Sequence, residues 1–214
     1  MSSRVQRLIL VLGNVNEQRG VVAKYHVLVA VPARLLAKLG IAPTLLNLLG
    51  LVCGMSGAAF IAIGNFSAAF VLVLIATLAD ALDGAVARQL GVASDFGNFF
   101  DSVIDRYVDV AILIGVFWYF AFLGQKMEAA LASLALLGTV VTSYAKARGE
   151  SLGVSGRYVG FMNRPERLLI YLAGLLFPRL LPFLLWPLSI LTNATAVHRI
   201  IFYTRILRQR QRSK

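Results

Sequence analysis

The sequence predicts an all-α integral membrane protein, with six transmembrane helices preceded by an amphipathic interfacial helix. Three observations carry this expectation. Apolar residues make up 58% of the 214 positions, and mean hydropathy is +0.76. That is more apolar than soluble domains of this size. The formal net charge is nevertheless +11. The basic residues also gather at the ends of long apolar segments, as cytoplasmic flanks of membrane helices do.

Residues 1–24 are polar and mixed, with a short apolar patch from Leu8 to Leu12. No small-residue cleavage pattern follows that patch, so it reads as a surface segment rather than a signal peptide. Val27 to Leu39 is apolar, with Arg34 and Lys38 at i, i+4. It fits an amphipathic helix lying in the cytoplasmic interface.

Crossing the hydrocarbon takes about 20 apolar residues. Six segments suit: Leu45–Gly64, Ser67–Val86, Phe99–Leu123, Ala129–Tyr144, Leu168–Leu185 and Trp186–Tyr203. Pro178, Pro182 and Pro187 crowd the last junction, with Arg179 marking the turn. Loops after the first, third and fifth spans hold few cations, whereas the opposite side holds Arg34, Lys38, Arg88, Lys146, Arg148, Arg157, Arg164, Arg167 and the stretch from Arg199. This places both termini and the intervening basic loops in the cytoplasm. Residues 206–214 read as a basic cytoplasmic tail and residues 25–205 as one membrane domain. Anionic headgroups account for the basic excess, and no aromatic-interleaved basic groove suggests nucleic acid. Cys53, the single cysteine, can form neither an internal disulfide nor a thiolate cluster.

The chemistry is concentrated between the second and third spans. Asp80 and Asp83 stand at i, i+3, Asp101 and Asp105 at i, i+4, and Asp109 follows a turn later. Each pair shares a helix face. The short connection Gln89–Asn98 should pack the two helices together and bring four carboxylates to one level. Clustered carboxylates near lipid repel one another unless a cation joins them. An all-oxygen set suits Mg²⁺ or Mn²⁺, with room for two ions, the arrangement used in phosphoryl chemistry. The alternative is that Arg88 and Arg106 neutralise the acids. Gly84 allows close approach to the backbone, and Arg88 offers a planar fork for a phosphate. Gly97 opens the third span, whose free N–H groups can face an anion.

The whole stretch resembles the signature of CDP-alcohol phosphotransferases, D-x2-D-G-x2-A-R-x8-G-x3-D-x3-D. Every fixed position from Asp80 to Asp105 is matched. The resemblance implies transfer of a phosphoryl-linked lipid or alcohol from a CDP-linked donor to an acceptor hydroxyl, with CMP leaving. It implies that Asp80, Asp83, Asp101 and Asp105 hold metal and that Asp105 is the general base. It implies that Gly84, Ala87, Arg88 and Gly97 contact the CDP part. Pro43 and Asn47 stand where relatives have a proline and a polar nucleotide contact, and Ser94 where relatives often have a hydroxyl near the nucleotide. A homodimer is also implied.

A narrower likeness concerns Ser143-x-x-Lys146-x-Arg148 and Arg164-Pro165-Glu166-Arg167. These resemble the acceptor region of phosphatidylinositol-phosphate synthases and their archaeal counterparts. The implied donor is CDP-diacylglycerol or CDP-archaeol, and the implied acceptor is inositol 1-phosphate. A phosphate monoester suits such an Arg/Lys cluster, while Glu166 can orient an arginine or remain solvated. Glycerol 3-phosphate is the alternative acceptor. A small cation-coupled transporter is the alternative of another class, although transporters bind near the bilayer midplane rather than at one face.

Overall fold

The computed structural model describes residues 29–156 and 159–212, all of it helices and short connections. The segment 1–24, the start of the interfacial helix and Arg157 lie outside the described residues. Helix α1 covers residues 29–38. It is followed by α2 (Pro43–Ala62), α3 (Phe66–Leu90), α4 (Asp95–Phe122), α5 (Lys126–Ser151) and α6 (Arg164–Leu176). A 3-10 turn at Pro178–Leu180 leads into α7 (Leu181–Arg212).

Each boundary has a local cause. Gly40, at φ 71°, lets the chain leave α1. Asn65 caps α3 by accepting from the Ala68 N–H, and Gly91 ends it in the left-handed region. Ser94 caps α4 by accepting from the Gly97 N–H at 3.1 Å. The connection between α3 and α4 is therefore only Gly91 to Ser94, shorter than the expected Gln89–Asn98. Glu166 accepts from the Asn163 N–H at 2.9 Å and so fixes the first turn of α6.

Among the described residues, four helical stretches are long and apolar enough to cross a membrane: α2, α3, α5 and Pro178–Arg212. Helix α4 is long enough but carries Asp101, Asp105, Arg106 and Asp109 in its first half. Helix α6 has 13 residues, about 20 Å at 1.5 Å per residue, against about 30 Å of hydrocarbon. The last two expected segments divide differently from Leu168–Leu185 and Trp186–Tyr203. Pro178 starts the turn, Pro182 falls in the first turn of α7, and Pro187 is carried inside that helix. Nor do residues 206–214 form a separate tail over their described part. Helix α7 runs to Arg212, and Arg210 donates to the Leu152 and Gly153 carbonyls at 3.0 and 2.8 Å.

The helices close into a ring. Helix α2 packs on α3 and α4, α4 on α5, α5 on α7, α7 on α6, and α6 back on α3. Small residues allow the tightest approaches, as is usual between membrane helices. Gly54 lies against Val108, and Gly115 against the backbone of Ala58. The opposite face of α2 exposes Leu45, Leu48, Leu49, Val52 and Met55, and α7 exposes Phe183, Trp186, Ile190 and Val197. Such an apolar exterior suits lipid and no aqueous surface. Helix α1 seats Ala33 beside Leu46 and Val86 and leaves Arg34 and Lys38 exposed, as an interfacial helix requires.

Helix α2 also corrects one expectation. Helices α3 and α4 were expected to pack on each other, but both lean on α2 instead. A gap remains between their acidic ends, and the functional cleft lies there. A Cβ at Gly115 would drive into the Ala58 carbonyl, which is backbone and cannot rotate away. Gly115→Ala should therefore destabilise the bundle by about 1–3 kcal/mol, read as a lower unfolding midpoint in detergent. An unchanged midpoint would show that α2 and α4 do not meet at this point.

Candidate metal and substrate site

Asp80 and Asp83 occupy the last turns of α3, and Asp101 and Asp105 the first turns of α4. Asn47 and Gly50 of α2 close the back of the gap between them. Arg164 and Leu168 of α6 close the side. The cleft between these side chains is narrow, with a volume of about 10 Å³, room for a water-sized guest.

Asp80, Asp101 and Asp105 each offer an oxygen, and the three oxygens lie within 4.8 Å of one another. Oxygen-only donors at this spacing suit a hard divalent cation. Asp101 Oδ1 is buried without a hydrogen-bond partner, so it retains a lone pair for a ligand. Asp83 stands one step behind this trio. It is buried, accepts from the Gly84 N–H, and lies beside Asn47 and Asp101.

Positive charge reaches the acids from α6. Arg164 Nη1 donates to Asp80 Oδ2 at 2.7 Å, and its Nη2 lies 2.7 Å from Asp105 Oδ1. The planar fork thus ties the end of α3 to the start of α4. Arg106 approaches Asp105 more loosely, at 3.4 Å. Arg88 is exposed and makes no ion pair among the described residues, so of the alternative in which Arg88 and Arg106 neutralise the acids only Arg106 takes part.

The remaining candidates fall into two groups. Asn47 lines the cleft and is buried, and Gly84 and Ala87 lie half-buried on α3. Ser94 and Gly97 bond to each other in the α4 cap, so the Gly97 N–H is already used and does not face outward as a free donor. Among the basic candidates, Ser143 accepts from Arg106 Nη1 at 2.9 Å. Lys146 is half-buried and Arg148 exposed on the last turns of α5. Arg167 departs from the expected phosphate role. It is 2% exposed and its Nη2 donates to Asp109 Oδ2 at 2.7 Å, so its charge is consumed inside the bundle.

Sequence reasoning missed Arg199, which the charge pattern had grouped with the loop cations. It is buried on α7 and donates to the Val159 carbonyl (2.8 Å), the Thr142 carbonyl (2.9 Å) and Asn163 Oδ1 (3.0 Å). Thr195, a turn earlier, accepts from the N–H groups of Phe161 and Met162. Together they strap the segment leading into α6 and hence set where Arg164 begins. Replacing Arg199 by Met keeps the apolar stem and removes these bonds. Hydrogen exchange at the amides of 159–163 should accelerate by the equivalent of about 1–3 kcal/mol. Unchanged protection would show that the strap holds nothing in place.

Comparison with known proteins agrees with this geometry. Residues 40–204 match the family model described as CDP-alcohol phosphatidyltransferase. The chain is 35% identical over 178 residues to the phosphatidylinositol phosphate synthase of Mycobacterium tuberculosis, covering 78% of this chain and 82% of that protein. It is 34% identical over 142 residues to the archaetidylinositol phosphate synthase of Pyrococcus horikoshii, covering 66% of this chain and 73% of that one. The crystal structure of the M. tuberculosis enzyme with CDP-DAG bound superposes with a TM-score of 0.74 at 32% identity, over 82% of this chain and 92% of that one. The same enzyme in complex with manganese and citrate gives a TM-score of 0.75, over 82% of this chain and 88% of that one. The protein belongs to the CDP-alcohol phosphatidyltransferase family.

Proposed function

We propose that this protein transfers a phosphatidyl or archaetidyl group from a CDP-linked lipid to a hydroxyl of inositol 1-phosphate and releases CMP. The observation that carries this reading is the convergence of three aspartyl oxygens beside a cleft that Arg164 borders. The two named relatives are synthases of inositol phosphate lipids, and one has been solved with CDP-DAG.

Asp80, Asp101 and Asp105 would hold Mg²⁺ or Mn²⁺, two ions in all, with Asp83 completing the set from behind. Bound there, the cations would stabilise the negative charge that develops on the transferred phosphoryl group and on CMP. Asn47, Gly84, Ala87 and Arg88 flank the donor side, and Ser94 and Gly97 shape the loop next to it. The lipid tails stay in the bilayer against the apolar exterior. Arg164, Lys146, Arg148 and Ser143 would receive the acceptor phosphate, with Arg106 bracing Ser143. Arg167 supports this set from within and does not touch the acceptor. Asp105 faces the cleft and would accept the proton of the attacking hydroxyl. Positioning supplies most of the rate, since such transfers ask for little covalent help from protein.

The basic ends of α3, α5 and α7 support a cytoplasmic site, with both termini on that side. The membrane domain starts near residue 25 and takes in the whole of α7, and the assembly is a homodimer.

The test is a product assay with CDP-diacylglycerol and CDP-archaeol, offering inositol 1-phosphate, glycerol 3-phosphate, inositol and serine in parallel. Metal-dependent CMP release with inositol 1-phosphate is expected. Release with glycerol 3-phosphate alone would reassign the acceptor, and none with any acceptor would remove the transferase reading. Asp105→Asn should lower turnover by roughly 10²–10⁴-fold while CDP-lipid still binds. Turnover near that of the wild type would remove Asp105 from the base role.

A further inference from the structure

Beneath the acid cluster lies a second, fully enclosed polar group that the reaction as described does not use. Asp109, one helical turn inside Asp105 on α4, has no solvent exposure. Its Oδ2 accepts from Arg167 Nη2 at 2.7 Å, and its Oδ1 lies 3.7 Å from Arg164 Nε. Tyr171, on α6, is buried beside Asp109, Arg167 and Thr139. Burying an ion pair costs several kcal/mol per ion before the mutual attraction is counted. Residues of similar volume and no charge would pack here at lower cost. Charge at this depth therefore calls for a purpose other than stability.

The geometry of Arg164 supplies one. A guanidinium has a polar edge at each nitrogen. The two terminal nitrogens of Arg164 reach Asp80 and Asp105, and its inner nitrogen lies 3.7 Å from Asp109 Oδ1, an ion-pair contact in which neither atom completes a hydrogen bond. The negative charge below Nε attracts the base of the fork while both tips stay directed at the cleft. Arg167, three residues on and hence on the same face of α6, locks that carboxylate from the other side. We propose that Asp109 is a positioning residue: it aims the Arg164 fork at the cleft, and Arg167 serves to hold Asp109 in place. The proposal rests on the reading that Arg164 receives the acceptor phosphate.

The experiment compares Asp109→Asn with the paired replacement Asp109→Leu/Arg167→Met. Purified protein in detergent is assayed for the KM of the phosphorylated acceptor, the KM of CDP-lipid, and Mn²⁺ binding by electron paramagnetic resonance. Loss of an aiming contact should raise the acceptor KM by roughly tenfold, with donor KM and Mn²⁺ affinity within about twofold of the wild type. The paired variant leaves no buried charge unmatched, so it should fold and show the same acceptor defect. A paired variant with normal acceptor KM would mean that Asp109 and Arg167 only fill space, and would overturn the proposal. Equal losses for donor, acceptor and metal would overturn it as well. Failure of the functional reading itself would look different, since the wild type would then turn over no phosphorylated acceptor.

Discussion

Most of this structure follows from the need to neutralise five aspartates inside an apolar bundle. Asp80, Asp83, Asp101, Asp105 and Asp109 occupy two helix ends, and Arg106, Arg164 and Arg167 meet them there. Unmatched charge among lipid-facing helices is costly. Here Asp80, Asp105 and Asp109 are each paired with an arginine, and Asp83 accepts from the Gly84 N–H. Among the described residues Asp101 Oδ1, at the cleft, has no hydrogen-bond partner and no arginine in ion-pair contact, whereas Asp109, the deepest, lies between Arg167 and Arg164. The charge environment thus grades from open to a ligand at the cleft to enclosed by arginines below it.

The ring of helices serves that gradient. Because α2 stands behind both α3 and α4, their acidic ends face each other across a space rather than in contact. Gly54 and Gly115 let α2 and α4 approach closely enough to fix that spacing. Opposite, α6 begins at Arg164, and its start is set by the capping contact of Glu166 and the hydrogen bonds of Arg199. A short helix can do this where a full span could not, since its first residue must arrive beside the cleft.

Much of this was legible in the sequence, and the reasons differ by element. The aspartates could be placed because helical spacing alone puts each pair on one face, and the eight fixed residues of the signature left little freedom. The break between α2 and α3 followed from continuous apolar runs meeting at Gly64 and Asn65, whereas α3 runs past the expected Val86 to Leu90 because its polar last turn stays helical until Gly91. The α6–α7 division was misplaced because three prolines offered three possible breaks, and only packing decides which one the chain uses. Neighbours in sequence usually pack as neighbours in space, and α3 and α4 do not because α2 intervenes. Arg167 was read as a phosphate ligand and Arg199 as a loop cation because a buried, paired arginine and an accessible one look alike in a charge count. The spacing of Arg164 and Arg167, beside an acid a turn beyond Asp105, was the signal that could have revealed the pairing.

The central claim is that oxygens from Asp80, Asp101 and Asp105 form one cation site spanning two helices. Titration of Mn²⁺ into purified wild-type protein and the Asp101→Asn variant, with CDP-lipid present, addresses it directly. The account predicts saturable binding to the wild type and a loss of affinity of at least roughly tenfold in the variant, as expected when one of few carboxylate ligands is removed. Equal affinity in the two proteins would contradict it.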